Sequence, residues 1–388
     1  MTVPSVTTAP ARLRIALIPA MFDPRLAYQE NVMGEALARL GHRVEVFAHR
    51  AVNTGRPLTE DGDRECPFPV HRARRVLSLG GTRLPLDSAL VRRLREFDPE
   101  VALLLAPLQG MGWALMRKLP AACRVVSSFS DLPLHRGKSR WSNVIKKWWV
   151  RQVFRRSALV LPVTEQTTAL LREWGGSLLD GKLRPFGLLL DLQLLARPLV
   201  PAAVAALRTK VQTYGAMVTR VKKEKGIVAF FGRIAEFLAA HPAAGFVLGG
   251  LDDNEASGEL RAAVAASPHA DRVVLLPLLS LAEIAGVFGG AAFTVWTEAS
   301  IGLYHSLHCG CPIVLWSGKG SAEHLLQDGG NGFWMQSLDE GAEVMSRALR
   351  HPWDRAAVTG TVAAYDADKA MPRLLDDLWN CPPAGTLH

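Results

Sequence analysis

Two basic residues in the C-terminal half have the types and the spacing of a phosphate-binding pair. Arg220 and Lys225 are five residues apart and directly precede Gly226, at the start of a segment with helical apolar spacing over 226–241. A bidentate Arg, a point-charge Lys and the free amides of a helix start are the groups that bind a diphosphate. The alternative is a solvated basic turn, since two further lysines and a glutamate lie between the two residues.

A carboxylate lies further along the same half of the chain. Glu298 follows an apolar run over 292–296, which we predict to be a strand, and precedes a predicted helix that begins near Gly302. A carboxylate in such a position can accept hydrogen bonds from sugar hydroxyls.

The elements that would position these residues alternate between strands and helices in both halves of the chain. The runs 14–19, 43–48 and 245–250 are short and rich in apolar residues, whereas 30–40 and 226–241 have helical spacing. This βαβ alternation predicts an α/β protein with two facing Rossmann-like domains, each built on a parallel sheet. In such folds the ligand lies at the carboxyl ends of the strands, here in the cleft between the domains.

The length of 388 residues suits two such domains. We expect an N-terminal domain over 1–192 and a C-terminal domain over 193–362. A final helix within 363–388 is expected to pack back on the first domain.

The composition is that of an ordinary globular protein, with 49% apolar and 21% charged residues. The net charge of +9 is unevenly divided. Residues 1–200 contain 30 Lys and Arg against 17 Asp and Glu, whereas residues 201–388 contain 15 against 19. The basic N-terminal half favours an anionic partner, such as nucleic acid, an acidic membrane surface or a phosphorylated substrate.

The segment 136–156 concentrates this positive charge. It contains eight Lys and Arg, three Trp and no acidic residue. Such a basic, Trp-rich helix is typical of an interfacial membrane segment, because Trp and Arg favour the headgroup layer. The alternative is a packed helix with a basic outer face.

Several other classes of protein are disfavoured. The five cysteines form no even framework and fit a reducing cytoplasm, and the cluster at 308–311 lacks the second ligand pair that a metal site needs. The glycine-rich run 317–321 lacks P-loop spacing, and no nucleic-acid-binding motif accompanies the basic segment. No apolar run reaches the ~18–20 residues that span a bilayer. We therefore expect a cytoplasmic protein that lies on the inner face of the cell membrane if 136–156 binds lipid.

Four motifs follow one another in the C-terminal half. They are RVKKEKG at 220–226, GG at 249–250, EASIGLYHSLHCGCPIV at 298–314 and GKGSAEHLLQDGGNGF at 318–333. In order and spacing they resemble the motifs of the retaining GT-B glycosyltransferases of family 4, the group with a Glu-x7-Glu signature. The N-terminal half is similar to the opening strand, loop and helix of that family.

This resemblance implies a function and a set of site residues. It implies a nucleotide-diphosphate sugar as donor, bound by the C-terminal domain over 193–362, and a glycan or lipid-linked acceptor, bound by the N-terminal domain over 1–192. Contact of the segment 136–156 with an anionic membrane surface would suit an acceptor carried on a lipid. It also implies no separate cofactor and no metal, because Arg220 and Lys225 would stabilise the departing diphosphate. Glu298 would contact the donor sugar. The full set of implied donor-binding residues is Arg220, Lys225, Gly250, Glu298, Ser300, Ile301, Gly302, Leu303, His305 and Glu323. The implied catalytic residues are Asp131, Arg220, Lys225 and Glu298.

The chain departs from the family pattern at several positions. Alignment on the Cys-Gly-x-Pro sequence puts Thr297 at the first signature Glu and His305 at the second, so Glu298 is one residue late. His305 is then either a contact to the donor ribose or a partly buried helix histidine. The family's middle-strand His is missing, which makes Asp131 the candidate polar group on the acceptor side.

Two further departures concern the loops. Glu323 aligns with the glutamate of a G-x-x-E motif and is expected at a helix N-terminus, where capping alone would explain it. The first loop has Arg25 to Asn31 in place of the usual Gly-Gly. These departures leave two alternatives to the enzyme: a non-catalytic GT-B protein that binds a nucleotide or a partner, and a sugar-nucleotide epimerase of GT-B fold.

Overall fold

The chain divides into two compact units. Unit 1 comprises Met1–Leu189 together with Ala367–His388, and unit 2 comprises Leu190–Asp366. The expected domain limits at 192 and 362 lie within a few residues of these. The structure, a computed structural model, describes residues 12–19, 22–24, 28–49, 63, 66–73, 76–79, 82–85, 87–105, 107–108, 110–129, 140–318 and 322–381.

A six-stranded parallel sheet forms the centre of unit 1. The strands of this unit are β1 (Arg14–Pro19), β2 (Arg43–His49), β3 (Val70–Ala73), β4 (Val76–Leu79), β5 (Thr82–Pro85), β6 (Val101–Leu105), β7 (Arg124–Phe129) and β8 (Ser157–Pro162). The sheet order is β3-β2-β1-β6-β7-β8, and β4 and β5 form a separate antiparallel pair. Every residue of β6 and β8 is buried, as expected for parallel strands covered on both faces.

A second six-stranded parallel sheet forms the centre of unit 2. Its strands are β9 (Thr213–Val218), β10 (Ala244–Leu251), β11 (Val273–Pro277), β12 (Phe293–Trp296), β13 (Ile313–Trp316) and β14 (Gly332–Met335). The order is β11-β10-β9-β12-β13-β14. From β9 the chain adds β10 and β11 on one side and then β12 to β14 on the other. The ends of β9 and β12 therefore flank the topological switch point, where such sheets bind ligands.

Helices pack against both sheets. They are α1 (Gln29–Arg39), α2 (Ser88–Phe97), α3 (Gly110–Met116), α4 (Arg140–Arg156), α5 (Glu165–Gly175), α6 (Leu192–Leu195), α7 (Ala202–Arg208), α8 (Ile227–Ala240), α9 (Glu255–Ala265), α10 (Leu281–Gly290), α11 (Ile301–His308), α12 (Gly341–Arg350), α13 (Arg355–Gly360) and α14 (Ala367–Asn380). The predicted α/β architecture of two Rossmann-like sheets is confirmed.

The core of unit 1 has two halves, one on each face of its sheet. Ile15 and Leu17 pack with α1, whereas Ala16 and Ile18 pack in a second cluster with α2 to α5. This alternation is the period of two that a β-strand imposes on its side chains. Within the described ranges, no helix is both long enough and apolar enough to cross a membrane.

The helix α14 belongs to unit 1 although unit 2 precedes it in sequence. Met371, Leu374 and Leu378 are buried in the same cluster as α1. Arg124 of β7 donates to the carbonyl oxygens of Leu378 and Cys381, at 2.6 and 2.9 Å, and so fixes the end of the helix.

Candidate functional site

The loop after β9 carries the predicted phosphate-binding pair and is bound to the end of β10. The Thr219 amide donates to the carbonyl of Gly249 and the Val221 amide to that of Gly250, each at 3.1 Å. These two bonds place the half-buried Arg220 between them at the carboxyl end of the sheet. The loop is therefore held by backbone hydrogen bonds on either side of its first basic residue.

Gly250 allows this close approach. Its φ of +100° is accessible to glycine, and a Cβ atom there would collide with the carbonyl of Thr219. The side-chain amide of Asn254 adds a third tie, since its Nδ2 donates to the Val221 carbonyl at 2.8 Å. Gly250, predicted as a donor-binding residue, thus has a packing role that is independent of any ligand.

Lys225 and Glu298 are brought together directly. The Lys225 ammonium lies 2.7 Å from Glu298 Oε1 and also donates to the Thr219 hydroxyl at 2.7 Å. The two side chains are only 16% and 23% exposed, so their attraction is less screened than that of a surface pair. Two predicted site residues that are far apart in sequence therefore form one cluster at the ends of β9 and β12.

The helix α8 starts next to this ion pair. Its N-cap is Gly226, which has a φ of +65° and offers no side-chain cap. The amides of the first helical turn and the positive end of the helix dipole favour an anion. Together with Lys225 and the nearby Arg220, they provide the kinds of group that a diphosphate requires.

The segment after β12 is positioned by a tryptophan. A Cβ atom at Gly302 would collide with the ring of Trp296, which is 1% exposed, so the start of α11 can approach the strand only with glycine there. Leu303 is buried in the core, whereas Ser300 and Ile301 are half-buried at the N-terminus of the helix. Of the four predicted residues 300–303, Gly302 and Leu303 are thus fixed by packing.

His305 is a buried residue of α11. It is 3% exposed, and burial, with a smaller contribution from His308, lowers its pKa to about 4. The imidazole is therefore neutral at neutral pH. This environment favours the buried-histidine interpretation over a contact to the donor ribose.

Glu323 lies in a turn and not at the start of a helix as expected. Leu325 and the following residue donate to the carbonyl of Ala322, and no helical ladder continues. The turn is held instead by the buried Asn331, whose Nδ2 donates to the Leu325 carbonyl at 2.9 Å and whose Oδ1 accepts from the Gln327 amide at 2.8 Å. The exposed Glu323 side chain is therefore not a helix cap.

One predicted residue cannot be placed. Asp131, the candidate on the acceptor side, lies outside the described residues. Among the residues that are described, no three His, Cys, Asp or Glu side chains are grouped so that they could hold a metal ion.

Thr297 is a site candidate that chemistry-based sequence reasoning does not select. It is 3% exposed, and its hydroxyl has no hydrogen-bond partner. Three residues earlier, within β12, the buried Thr294 hydroxyl accepts from Trp296 Nε1 at 2.8 Å and bonds the Ser306 hydroxyl at 2.7 Å. The available signal for Thr297 was its alignment with the first signature Glu of the family.

In unit 1, the start of α1 contains a second pair of polar residues that sequence reasoning does not select. Gln29 exchanges two hydrogen bonds with the backbone of Leu189, at 2.7 and 2.9 Å, and so anchors the helix start. The neighbouring Glu30 is half-buried, and desolvation raises its pKa to about 7, partly opposed by a backbone hydrogen bond. Its charge is therefore only partly present at neutral pH.

Comparison with solved structures shows the class of fold. The sucrose-phosphate synthase of Thermosynechococcus elongatus is 18% identical over 94% of each chain, with a TM-score of 0.59. HepE of Anabaena, solved with UDP and glucose, is 14% identical over 95% of this chain and 100% of its own, with a TM-score of 0.65. A putative UDP-N-acetylglucosamine 2-epimerase of Listeria monocytogenes is 11% identical over 95% of each chain, with a TM-score of 0.62. The chain has the GT-B fold.

The family comparison adds a narrower result. Residues 31–179 match the model of the glycosyl transferase 4-like domain, which confirms the resemblance of the N-terminal half to that kind of protein. No curated protein matches the sequence.

We predict that Thr297→Val stabilises unit 2 by ~1 kcal/mol, because it removes a buried hydroxyl that has no partner. Thr294→Val is the matched control and should destabilise the unit by ~1–3 kcal/mol, since it leaves Trp296 Nε1 without an acceptor. Urea unfolding of both variants measures the two effects. A loss of stability in Thr297→Val would show that its hydroxyl is bonded in solution.

We also predict a pH-dependent stability that originates at Glu30. Its native pKa of about 7 lies above the ordinary 4.5. The protonated carboxyl therefore contributes stability that is complete below pH 4.5 and is lost as the pH rises toward 7. Glu30→Gln should remove this dependence and be more stable than wild type above pH 7. Thermal unfolding between pH 4.5 and 8 tests this, with Glu165→Gln in the first turn of α5 as control. Parallel curves for wild type and Glu30→Gln would contradict the prediction.

Proposed function

We propose that this protein is a nucleotide-sugar-dependent glycosyltransferase that transfers a hexosyl group with retention of configuration and without a metal ion. The observation that carries the proposal is the cluster of Lys225, Glu298 and Thr219 beside Arg220, at the ends of β9 and β12. It combines cations for a diphosphate with a carboxylate for sugar hydroxyls at the switch point of a parallel sheet.

The residues have separate roles in this mechanism. Arg220, Lys225 and the first amides of α8 bind the diphosphate and neutralise the charge that develops when the bond from the anomeric carbon to the phosphate oxygen breaks. Glu298 accepts hydrogen bonds from the donor sugar. In the ligand-free protein Glu298 compensates the charge of Lys225, and an incoming diphosphate competes with it for the ammonium.

The transfer step needs no strong protein base. The acceptor oxygen forms its bond to the anomeric carbon on the face that the diphosphate leaves, and the departing phosphate oxygen takes the acceptor proton. The leaving group retains the electron pair of the broken bond. The proposal is therefore compatible with the absence of the family's middle-strand His from the sequence.

The solved structures support a sugar nucleotide as donor. HepE was solved with UDP and glucose, and its fold covers nearly all of this chain. The epimerase alternative is retained because a putative epimerase has a comparable TM-score. Mass spectrometry separates the alternatives: a new glycan requires an acceptor, an epimerised sugar nucleotide forms without one, and neither product forms with a binding protein.

We expect Arg220→Ala and Lys225→Ala each to weaken the binding of UDP and of UDP-glucose by roughly 10- to 100-fold, because each removes a charge-assisted hydrogen bond to phosphate. Isothermal titration measures the affinities. Lys223→Ala is the matched control, since this exposed lysine lies in the same turn and should leave binding unchanged. Unaltered affinity in both variants would exclude the phosphate-binding role.

We further propose that the acceptor is a glycan or a lipid-linked sugar and that α4 contacts an anionic membrane surface. The structure divides the residues of this helix by environment. Val150, Val153 and Phe154 are buried, whereas Val144 and Trp148 are 59% and 57% exposed one turn apart on the same face. An exposed Trp on a basic helix is suited to the headgroup layer.

Two arginines of α4 bond backbone carbonyls within unit 1. Arg156 donates to the carbonyls of Cys123 and Pro120 at 3.0 and 2.7 Å, and Arg151 donates to that of Trp174 at 3.2 Å. The exposed Arg155 lies on the same face as Val144 and Trp148, since Trp148 follows Val144 by one helical turn and Arg155 follows Trp148 by about two turns. The apolar and basic parts of this face are thus contiguous.

We predict that the protein floats with vesicles that contain phosphatidylglycerol and not with vesicles of phosphatidylcholine alone. The double variant Val144→Ser/Trp148→Ser should reduce the bound fraction about tenfold, because it removes the apolar groups that enter the interface. Leu199→Ser, which alters an apolar residue of equal exposure in unit 2, is the control. Equal flotation of the double variant and wild type would contradict a membrane role for α4.

A further inference from the structure

We infer that the outer edge of the sheet in unit 2 carries a binding site for a neutral sugar residue of a glycan chain. An open depression of about 570 Å³ lies there, formed by β14, the helix α12 and the residues that flank the strand. Its volume is within the range of sites that bind small molecules.

The lining of the depression combines an aromatic residue with polar groups. Trp334 of β14 is half-buried, and the buried Val344 of α12 extends the apolar part. The polar part consists of Asp328, Gln336, Glu340, Glu343 and Arg347. A pyranose ring needs this combination, because its C–H face packs on an aromatic ring while its hydroxyls donate to carboxylates and accept from a guanidinium or an amide.

The polar groups are held in place before any ligand binds. Asp328 accepts from the Trp334 amide at 3.2 Å and pairs with Arg347 at 3.5 Å. The Arg347 guanidinium lies 3.7 Å from the centre of the Phe333 ring, and Glu340 accepts from the Gln336 amide at 3.0 Å. Side chains that are already ordered lose little conformational entropy when they bind.

Protection of the sheet edge accounts for only part of this arrangement. Asp328 and Glu340 bond the amides of Trp334 and Gln336, which point outward from the last strand, and such bonds block pairing with another chain. They do not account for the half-buried Trp334 in the lining or for the exposed Glu343, which forms no bond to the strand edge among the described contacts.

The charge of the lining selects among ligands. Three carboxylates and one guanidinium give a net negative depression, which disfavours nucleotides, diphosphates and anionic lipids. A cation would interact with the carboxylates alone, whereas a neutral polyol can use both signs of charge, because its hydroxyls donate to the carboxylates and accept from Arg347. The chemical class that fits best is therefore an uncharged hexose unit.

This site is separate from the proposed donor site. β14 lies two strands from β12 in the sheet, a distance of about 10 Å at the usual strand spacing. The lining includes none of the residues assigned to the donor. The inference consequently does not depend on the proposed transferase activity and can fail or hold on its own.

The test uses the full chain with saturating UDP, so that donor-site binding is blocked. Maltohexaose, cellohexaose and α-1,6-mannohexaose serve as neutral probes, with saturation-transfer NMR to detect binding and calorimetry to measure affinity. We expect at least one probe to bind wild type and Trp334→Ala to bind it about tenfold more weakly. Trp334→Phe, which keeps an aromatic face, should retain most of the affinity.

Two further variants separate a sugar site from a general effect on the fold. Glu343→Gln should weaken binding several-fold, whereas Glu259→Gln, an exposed carboxylate elsewhere in unit 2, should not. Arg220→Ala should bind the probe like wild type. The inference is overturned if none of the three probes binds, or if Trp334→Ala binds as tightly as wild type while its thermal unfolding is unchanged.

Discussion

The close approach of Gly250 to the Thr219–Arg220 peptide is the constraint on which the rest of the candidate site depends. It allows two backbone hydrogen bonds to fix the loop after β9, and this loop fixes the positions of Arg220 and Lys225. Lys225 in turn reaches Glu298 after β12. A steric property of one glycine thus determines whether residues from two strands can form a single charged cluster.

The two units differ in the number of their basic residues and in what those residues bond, which the net charge of the whole chain does not show. In unit 2 the cations are fewer, and the Lys225 ammonium near β9 is paired with the Glu298 carboxylate. In unit 1 the positive charge is abundant, but part of it is structural: Arg156 and Arg151 satisfy backbone carbonyls. A count of basic residues therefore overstates the charge that α4 can offer to a membrane.

The alternation of strands and helices, and the position of Arg220 and Lys225 between β9 and α8, were predictable because they depend on local periodicity and on the order of motifs. The roles of Gly302 and Glu323 were not. Gly302 is needed because the ring of Trp296 lies over it, and Glu323 is in a turn because Asn331 bonds the Leu325 carbonyl from six residues further along the chain. Thr297 was missed for a related reason, since an unpaired hydroxyl is recognised only when all of its neighbours are known.

The position of α14 has a consequence for the order in which the protein folds during synthesis. Its buried face completes a core whose other parts lie in the first 189 residues, so unit 2 must be translated before that core can close. At the usual rate of synthesis this delay is roughly 10 to 35 s. During that time the apolar face of α1 has no partner from α14, and transiently exposed apolar surface of this kind is prone to aggregation.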